Sequence, residues 1–135
     1  MAGILLDTHA ALWLMSGEEL SPDVVKKIQA ASDKETLFVS PITAWEIATL
    51  VRKGRIALAM PVESWFPAML GKGILLADMA PETLIASVFL PGTPPGDPAD
   101  RIIIATARSE NFVLITRDEK ILQYGEQGHT RVLRC

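Results

Sequence analysis

Four acidic residues lie beside apolar segments or close to the ends of predicted strands and helices: Asp7, Glu46, Asp100 and Asp118. Asp7 interrupts the apolar run ILLDTHAALWL, and an isolated ionised carboxylate costs on the order of several kcal/mol to bury. Either a cation compensates this carboxylate or the strand ends there, at a pocket. Glu46 is the only charged residue between Glu35 and Arg52. We therefore do not expect it to lie on a fully solvent-exposed face of a helix.

Metal binding is the chemistry that these four residue types support together. Carboxylates packed close to one another repel and raise one another's pKa. Divalent ions remove that cost, and an all-oxygen site suits Mg²⁺ or Mn²⁺ rather than zinc, which prefers histidine and cysteine. Taken singly, Asp118 is typical of a helix N-cap, and Asp100 of an acid that compensates a helix dipole. The metal-site interpretation therefore depends on the elements that would bring the carboxylates together.

Short apolar runs alternate with helix patterns along the chain. Strands are predicted at 4–6, 37–39, 74–76, 113–116 and 131–133. Ser-Pro or Asp-Pro pairs mark helix starts at 21–22, 40–41 and 97–98. The second of these helices is predicted to run to Lys53 and to stop at Gly54. Further helices are predicted at 62–70, at 81–89 and after Asp118, and LPGTPPGDP is predicted to be an ordered surface loop.

This alternation predicts an α/β fold with a mainly parallel central sheet of four to five strands, flanked by helices. Parallel sheets of this kind carry their sites outside the carboxyl ends of the strands. Asp7 directly follows the first predicted strand, and Asp118 is separated from the strand VLIT by one residue. Glu46 and Asp100 lie within the early turns of helices that begin at the same edge. The four acids are therefore expected to face one pocket.

Composition sets further limits on function. With 135 residues, a net charge of -3 and 49% apolar residues, the chain is expected to form one globular domain over 1–135. The acidic balance argues against unspecific coating of nucleic acid, although it is compatible with a nuclease whose pocket holds metal ions. No membrane span or secretory signal is recognised, and the single cysteine, Cys135, has no internal partner. We therefore expect a reducing, cytoplasmic location and no membrane partner.

Four segments, in their order and spacing, resemble PIN-domain proteins of the VapC toxin type: LLDTHAALWL, VSPITAWEIATLVRKGRI, GDPADRIIIATA and LITRDEKILQY. The resemblance runs from Ile4 to the last residue and implies a PIN-like three-layer sandwich. It also implies a Mg²⁺- or Mn²⁺-dependent endoribonuclease that acts as the toxin of a type II toxin–antitoxin pair. The acidic tetrad of the family falls on Asp7, Glu46, Asp100 and Asp118, and its small hydroxyl residue falls on Thr116, where it would bond an acid or water. Pro95 stands where related sequences often have histidine.

The expected partners are an RNA substrate, a small antitoxin protein and a second copy of the chain. Metal ions bound by the acids would activate water and stabilise the leaving oxygen in phosphodiester hydrolysis. Five basic residues are candidates for binding RNA phosphates, with an ordinary solvated surface as the alternative: Arg52, Lys53, Arg55, Arg101 and Arg117. No histidine is assigned to metal, and the tryptophans are expected in the core rather than as platforms for bases: Trp13, Trp45 and Trp65.

Two other functions compete with this interpretation. A catalytically inactive PIN-like binding module would keep the fold, and the intact tetrad argues against it. A receiver-type phosphoacceptor domain would need an acid pair after the first strand and a lysine after the last strand. LLDTH has one acid, and RVLRC ends without the lysine.

The two neighbouring acids of GDPADR are expected to have different roles. Asp97 precedes Pro98, a favoured first helical residue, so Asp97 is predicted to be the N-cap of that helix. Asp100 then occupies the third helical position, where its side chain either reaches back to the cap or projects into the pocket. The resemblance assigns Asp100 to the metal.

Overall fold

The computed structural model describes residues 3–17 and 20–135. In these residues five strands form one sheet: β1 Ile4–Leu6, β2 Leu37–Val39, β3 Leu75–Leu76, β4 Val113–Thr116 and β5 Arg131–Arg134. Their order across the sheet is β3-β2-β1-β4-β5, and every pairing is parallel. The predicted α/β fold with a parallel central sheet is confirmed.

Seven helices connect and cover the strands within the same described residues: α1 Thr8–Ser16, α2 Pro22–Asp33, α3 Ile42–Arg52, α4 Val62–Leu70, α5 Pro81–Val88, α6 Pro98–Glu110 and α7 Glu119–Glu126. None of them combines the length and the apolar character that crossing a membrane requires.

The core consists of two clusters, one on each face of the sheet. Successive residues of a strand point to opposite faces, so Ile4 and Leu6 join one cluster while Leu5 joins the other. Buried residues of α1 to α4 form the first cluster, and buried residues of α6 and α7 form most of the second. This division is the three-layer arrangement that the resemblance implied.

The strand order places a topological switch point at the centre of the sheet. From β1 the chain moves outward through β2 to β3, and then crosses back so that β4 lies on the other side of β1. In doubly wound sheets, ligands bind in the crevice outside the carboxyl ends of the strands at such a point. Here that crevice lies beyond Leu6 and Thr116, the last residues of β1 and β4.

Three local expectations differ from the structure. Helix α3 begins at Ile42 rather than at Pro41, and the Ser40 hydroxyl accepts a hydrogen bond from the Ile42 amide at 3.2 Å. Strand β3 has only two residues, at the edge of the sheet. The assignment of Trp45 to the core is wrong, because its relative exposure is 62%. Trp65 is buried as predicted.

Candidate active site

The four predicted acids line a single cavity at the carboxyl edge of the sheet. Its volume is about 360 Å³. A fifth acid that was predicted only as a helix cap completes the set of carboxylates around it: Asp7, Glu46, Asp97, Asp100 and Asp118.

Three of these acids hold their positions as helix N-caps. Asp7 Oδ1 accepts from the Ala10 amide at 2.8 Å and begins α1. Asp97 Oδ1 accepts from the Asp100 amide at 3.0 Å and begins α6. Asp118 Oδ1 accepts from the Ile121 amide at 3.0 Å and begins α7. Each cap occupies one carboxylate oxygen, and the positive ends of three helix dipoles therefore converge on the cavity and stabilise negative charge there.

Asp7 is the most buried of the acids, with a relative exposure of 5%. Its second oxygen, Oδ2, accepts a hydrogen bond from the Thr116 hydroxyl, so the bond to an acid that was expected of Thr116 is present. Thr116 Oγ1 also accepts from the Asp118 amide at 3.0 Å and thereby links two of the acids. Burial raises the pKa of Asp7, whereas the hydrogen bonds from Thr116 and Ala10 oppose that rise.

Glu46, Asp97 and Asp100 form the tightest part of the cluster. One carboxylate oxygen from each lies within 4.8 Å of the other two. Burial, together with the negative charges of Asp97 and Glu46, raises the pKa of Asp100 to about 7. Burial also raises the pKa of Glu46, although Thr8 opposes this by donating its hydroxyl to Glu46 Oε1. The groups of the protein therefore do not fully compensate the negative charges that Glu46, Asp97 and Asp100 would carry when all three are ionised.

The composition of the cavity fits a divalent cation. Among the described residues that line it, five are carboxylates and only two are basic, His9 and Arg117. The donors are carboxylate oxygens supported by two buried threonine hydroxyls, a set that suits a hard cation. The cavity therefore has the character of a divalent metal site.

Asp97 is both the N-cap of α6 and a residue of the acidic cavity. The sequence predicted these two roles for different residues, the cap for Asp97 and the pocket for Asp100. The predicted role of Asp97 as the N-cap of α6 is confirmed, with Asp100 at the third helical position. The structure also places it in the cavity beside Glu46, because α6 packs against α3. The N-cap position of Asp97 can be recognised from the local sequence, whereas the packing of α6 against α3 cannot.

Arg101 has a different environment from the other candidate RNA-binding residues. Its guanidinium donates to the carbonyls of Ser87 at 3.0 Å, Val88 at 3.2 Å and Pro95 at 2.9 Å. The first two carbonyls belong to the C-terminal end of α5, where cations are favourable, and the third belongs to the loop before Asp97. Arg101 thus ties α5, this loop and the start of α6 together.

The remaining candidate cations lie in two places. Arg117 lines the acidic cavity, lies 4.3 Å above the Trp13 ring, and donates its Nε to the Cys135 carbonyl at 2.9 Å. The others are exposed at the end of α3 and just after it: Arg52, Lys53 and Arg55.

Comparison with known proteins agrees with this fold. The sequence profile described as "PIN domain" matches residues 4–127. The chain is 36% identical over 122 residues to Ribonuclease VapC22 from Mycobacterium tuberculosis, covering 90% of this chain and 91% of that protein.

A solved structure has the same fold. A chain in the crystal structure of VapBC2 from Rickettsia felis, bound to a DNA fragment from their promoter, superposes with a TM-score of 0.69. The match covers 97% of this chain and 98% of that chain at 16% sequence identity. The sequence profile and the VapC22 relative carry the assignment further: the protein belongs to the PIN-domain family, among its VapC-type members.

Proposed function

We propose that this protein is a metal-dependent endoribonuclease that acts as the toxin of a type II toxin–antitoxin pair, with Mg²⁺ or Mn²⁺ as its metal. The observation that carries the proposal is the group of five carboxylates that share one cavity at the carboxyl edge of the sheet. The named activity of the VapC22 relative supports RNA as the substrate. We infer a cytoplasmic location from the same family membership, because the RNA substrate lies there.

In this proposal the metal ligands are Asp7, Glu46, Asp100 and Asp118, with Asp97 beside them. A bound ion would supply Lewis acidity toward a phosphodiester and a lower pKa for water. Thr116 orients Asp7, and Thr8 orients Glu46, each through a hydroxyl hydrogen bond to the carboxylate. The helix caps fix the carboxylates of Asp97 and Asp118 before any ligand arrives, which reduces the reorganisation that the site needs.

The direct test is cleavage of a single-stranded RNA by the purified chain. We expect cleavage with Mg²⁺ or Mn²⁺, loss of cleavage in excess EDTA, and recovery when the metal is restored. Cleavage that is unaffected by EDTA would contradict the metal mechanism. No cleavage under any metal condition would favour the inactive binding module. Sequencing RNA ends after the protein is induced alone would then identify the target RNA.

The antitoxin is proposed to cover the acidic cavity and the groove beside it. This groove has a volume of about 480 Å³ and lies between α1, the segment 56–60 and α4. His9 and Trp13 line both the groove and the acidic cavity, so the two form one continuous surface. An apolar segment would fit the groove, and an arginine or lysine that follows it would fit among the carboxylates.

Growth of cells and binding of the co-expressed neighbouring gene product test this partner. Expression of the chain alone should slow growth, and Asp7→Asn should relieve the effect. Ala68 is exposed at the groove, so Ala68→Trp should fill it and weaken neutralisation while RNA cleavage is kept. Unchanged neutralisation of Ala68→Trp would place the antitoxin elsewhere.

A homodimer is proposed on the basis of the family resemblance and an apolar patch on α5 and the residue after it. Its members are 38–78% exposed: Leu84, Ile85, Val88 and Phe89. Burial of such a patch removes apolar surface from water. Light scattering should give twice the chain mass for the wild type and the chain mass for Phe89→Asp. Val25→Asp, at an exposed apolar position on α2, should leave the mass unchanged.

A further inference from the structure

Trp45 is the most unusual exposed residue near the acidic cavity. Its side chain is 62% exposed, yet it directly precedes the cavity residue Glu46 on α3. A large apolar side chain at the surface of a well-packed domain costs hydration free energy unless a ligand covers it. Tryptophan is also the residue type most enriched at binding hot spots. Trp45 does not line the cavity itself, so the ligand that would cover it is one that extends from the cavity along the surface of α3.

The exposed side of α3 continues from Trp45 to a group of cations. Trp45, Ala48 and Arg52 are exposed, and their spacing of three and four residues places them on one face of the helix. Thr43 and Ile47 are buried on the opposite side. At 1.5 Å per residue, Arg52 lies about 10 Å along the helix axis from Trp45.

The segment that follows Glu46 has a strong positive bias. Between Glu46 and Glu63 the sequence contains three basic residues and no acid, in a chain with a net charge of -3: Arg52, Lys53 and Arg55. All three are exposed, and none forms an ion pair within residues 3–17 and 20–135. They therefore form a local positive surface that begins about two helical turns from the acidic cavity.

We infer that this face of α3 binds the single-stranded RNA whose backbone is cut in the cavity. Trp45 stacks on a base, and Arg52, Lys53 and Arg55 bind phosphates of the same strand. Stacking platforms combined with a positive track are how proteins bind single strands. The inference rests on the proposed ribonuclease function, which it extends by specifying the path of the substrate.

Charge argues against the two protein partners as occupants of this face. A basic antitoxin segment that suits the carboxylates would be repelled by the three cations. A second copy of the chain in a two-fold interface centred on this face would bring the same cations close to their own copies. RNA is the partner whose charge matches both the cations of α3 and a metal-loaded cavity.

Binding of a short fluorescein-labelled single-stranded RNA, followed by anisotropy at several salt concentrations, tests the inference. The protein carries Asp7→Asn in every sample so that the RNA stays intact in Mg²⁺. Trp45→Ala should weaken binding roughly 5- to 100-fold without changing its salt dependence, because stacking releases no counterions. Trp45→Phe should retain most of the affinity. Arg52→Gln should instead lower the slope of log affinity against log salt by about 0.7, the value for one phosphate contact on a single strand.

Val25→Ala is the control, since Val25 is also an exposed apolar residue but lies on α2, on another part of the surface. It should leave RNA binding unchanged. The inference would be overturned if Trp45→Ala bound RNA as tightly as the control. If Trp45→Ala instead changed the mass of the protein in solution or its affinity for the antitoxin, Trp45 would belong to a protein interface. Cleavage by the wild-type protein distinguishes a failure of this inference from a failure of the proposed function. If the wild-type protein cleaves RNA while Trp45→Ala leaves RNA binding unaltered, the inference fails and the proposed function stands.

Discussion

A second, larger cavity of the protein and its acidic cavity lie at opposite ends of the same strands. The larger one, about 790 Å³, is lined by Ile4 and Val113, the first residues of β1 and β4, and by parts of α2, α7 and β5. The acidic cavity has less than half that volume and lies beyond the last residues of the same strands. Size therefore does not identify the functional end of this molecule.

The difference follows from the direction of the helices. In a parallel β/α alternation, helices begin at the carboxyl edge of the sheet, so their positive ends meet there. Asp7, Asp97 and Asp118 cap three such helices and bring their charges to one cavity. The larger cavity is instead lined by the last turn of α7, where the dipole is negative, and Glu126 is the one acid among the described residues that line it. Charge concentration at one end of the sheet is the feature to test.

Asp7→Asn should show the largest difference in RNA cleavage between a change at the acidic cavity and a change at the larger cavity. Amide nitrogen is a poor ligand for a hard cation, and loss of a supporting group around a metal already costs about 10- to 100-fold, so we expect at least roughly 100-fold slower RNA cleavage. The fold should persist, because asparagine is also a good N-cap. The matched change at the larger cavity is Thr130→Val, which removes a buried hydroxyl that has no hydrogen-bond partner among the described residues and should leave cleavage unchanged. Equal activity of both variants would remove the distinction.

Arg101→Lys should have the next largest effect, on metal affinity. Lysine keeps the charge but cannot reach the three carbonyls of Ser87, Val88 and Pro95 with a rigid fork. We expect Mn²⁺ affinity to fall about 10-fold, as for loss of a group that positions metal ligands, with faster amide exchange in the segment 91–97. Isothermal titration and hydrogen exchange measure these effects. If Arg101→Lys left Mn²⁺ affinity unchanged and weakened RNA binding, Arg101 would instead contact RNA, as the sequence predicted.

Asp97 allows the cap and the charge to be separated. Asp97→Ala should lower the free energy of unfolding by about 0.5–2 kcal/mol, because the Asp100 amide loses its acceptor. Asp97→Asn keeps the cap and removes one negative charge near Glu46 and Asp100, so the metal-free protein should keep its stability or gain some. Urea unfolding in EDTA measures both. Equal losses for the two variants would mean that the carboxylate charge, rather than the cap, stabilises α6.

The pH dependence of the metal-free protein should be the smallest effect. The pKa of Asp100 rises from its ordinary value of 3.8 to about 7 in the folded protein, so the folded state binds this proton more tightly than the unfolded state. The resulting stability is complete below pH 3.8 and is lost as the pH rises toward about 7. In EDTA, Asp100→Asn should therefore lose less of its melting temperature than the wild type between pH 5 and pH 8. Identical pH profiles would contradict the raised pKa of Asp100 in the folded protein.

Local signals predicted most of the fold and part of the site. The apolar runs and the Asp97-Pro98 start are short-range patterns, and the structure has strands and a helix at those positions. Trp45 was misplaced because an apolar helix sequence does not show which face its neighbours leave uncovered. The contacts of Arg101 could not be predicted either, since its three acceptors come from the end of α5 and a loop. Long-range packing, rather than residue type, determines both outcomes.

Mn²⁺ titration followed by electron paramagnetic resonance tests most directly whether the five carboxylates form one cation site. The wild type and Thr130→Val should bind Mn²⁺ equally, and Mg²⁺ should displace it. Asp100→Asn should abolish or strongly weaken this binding, because it removes a ligand from the tightest part of the cluster. Undiminished Mn²⁺ binding by Asp100→Asn would contradict the assignment of the metal to the carboxyl edge of the sheet.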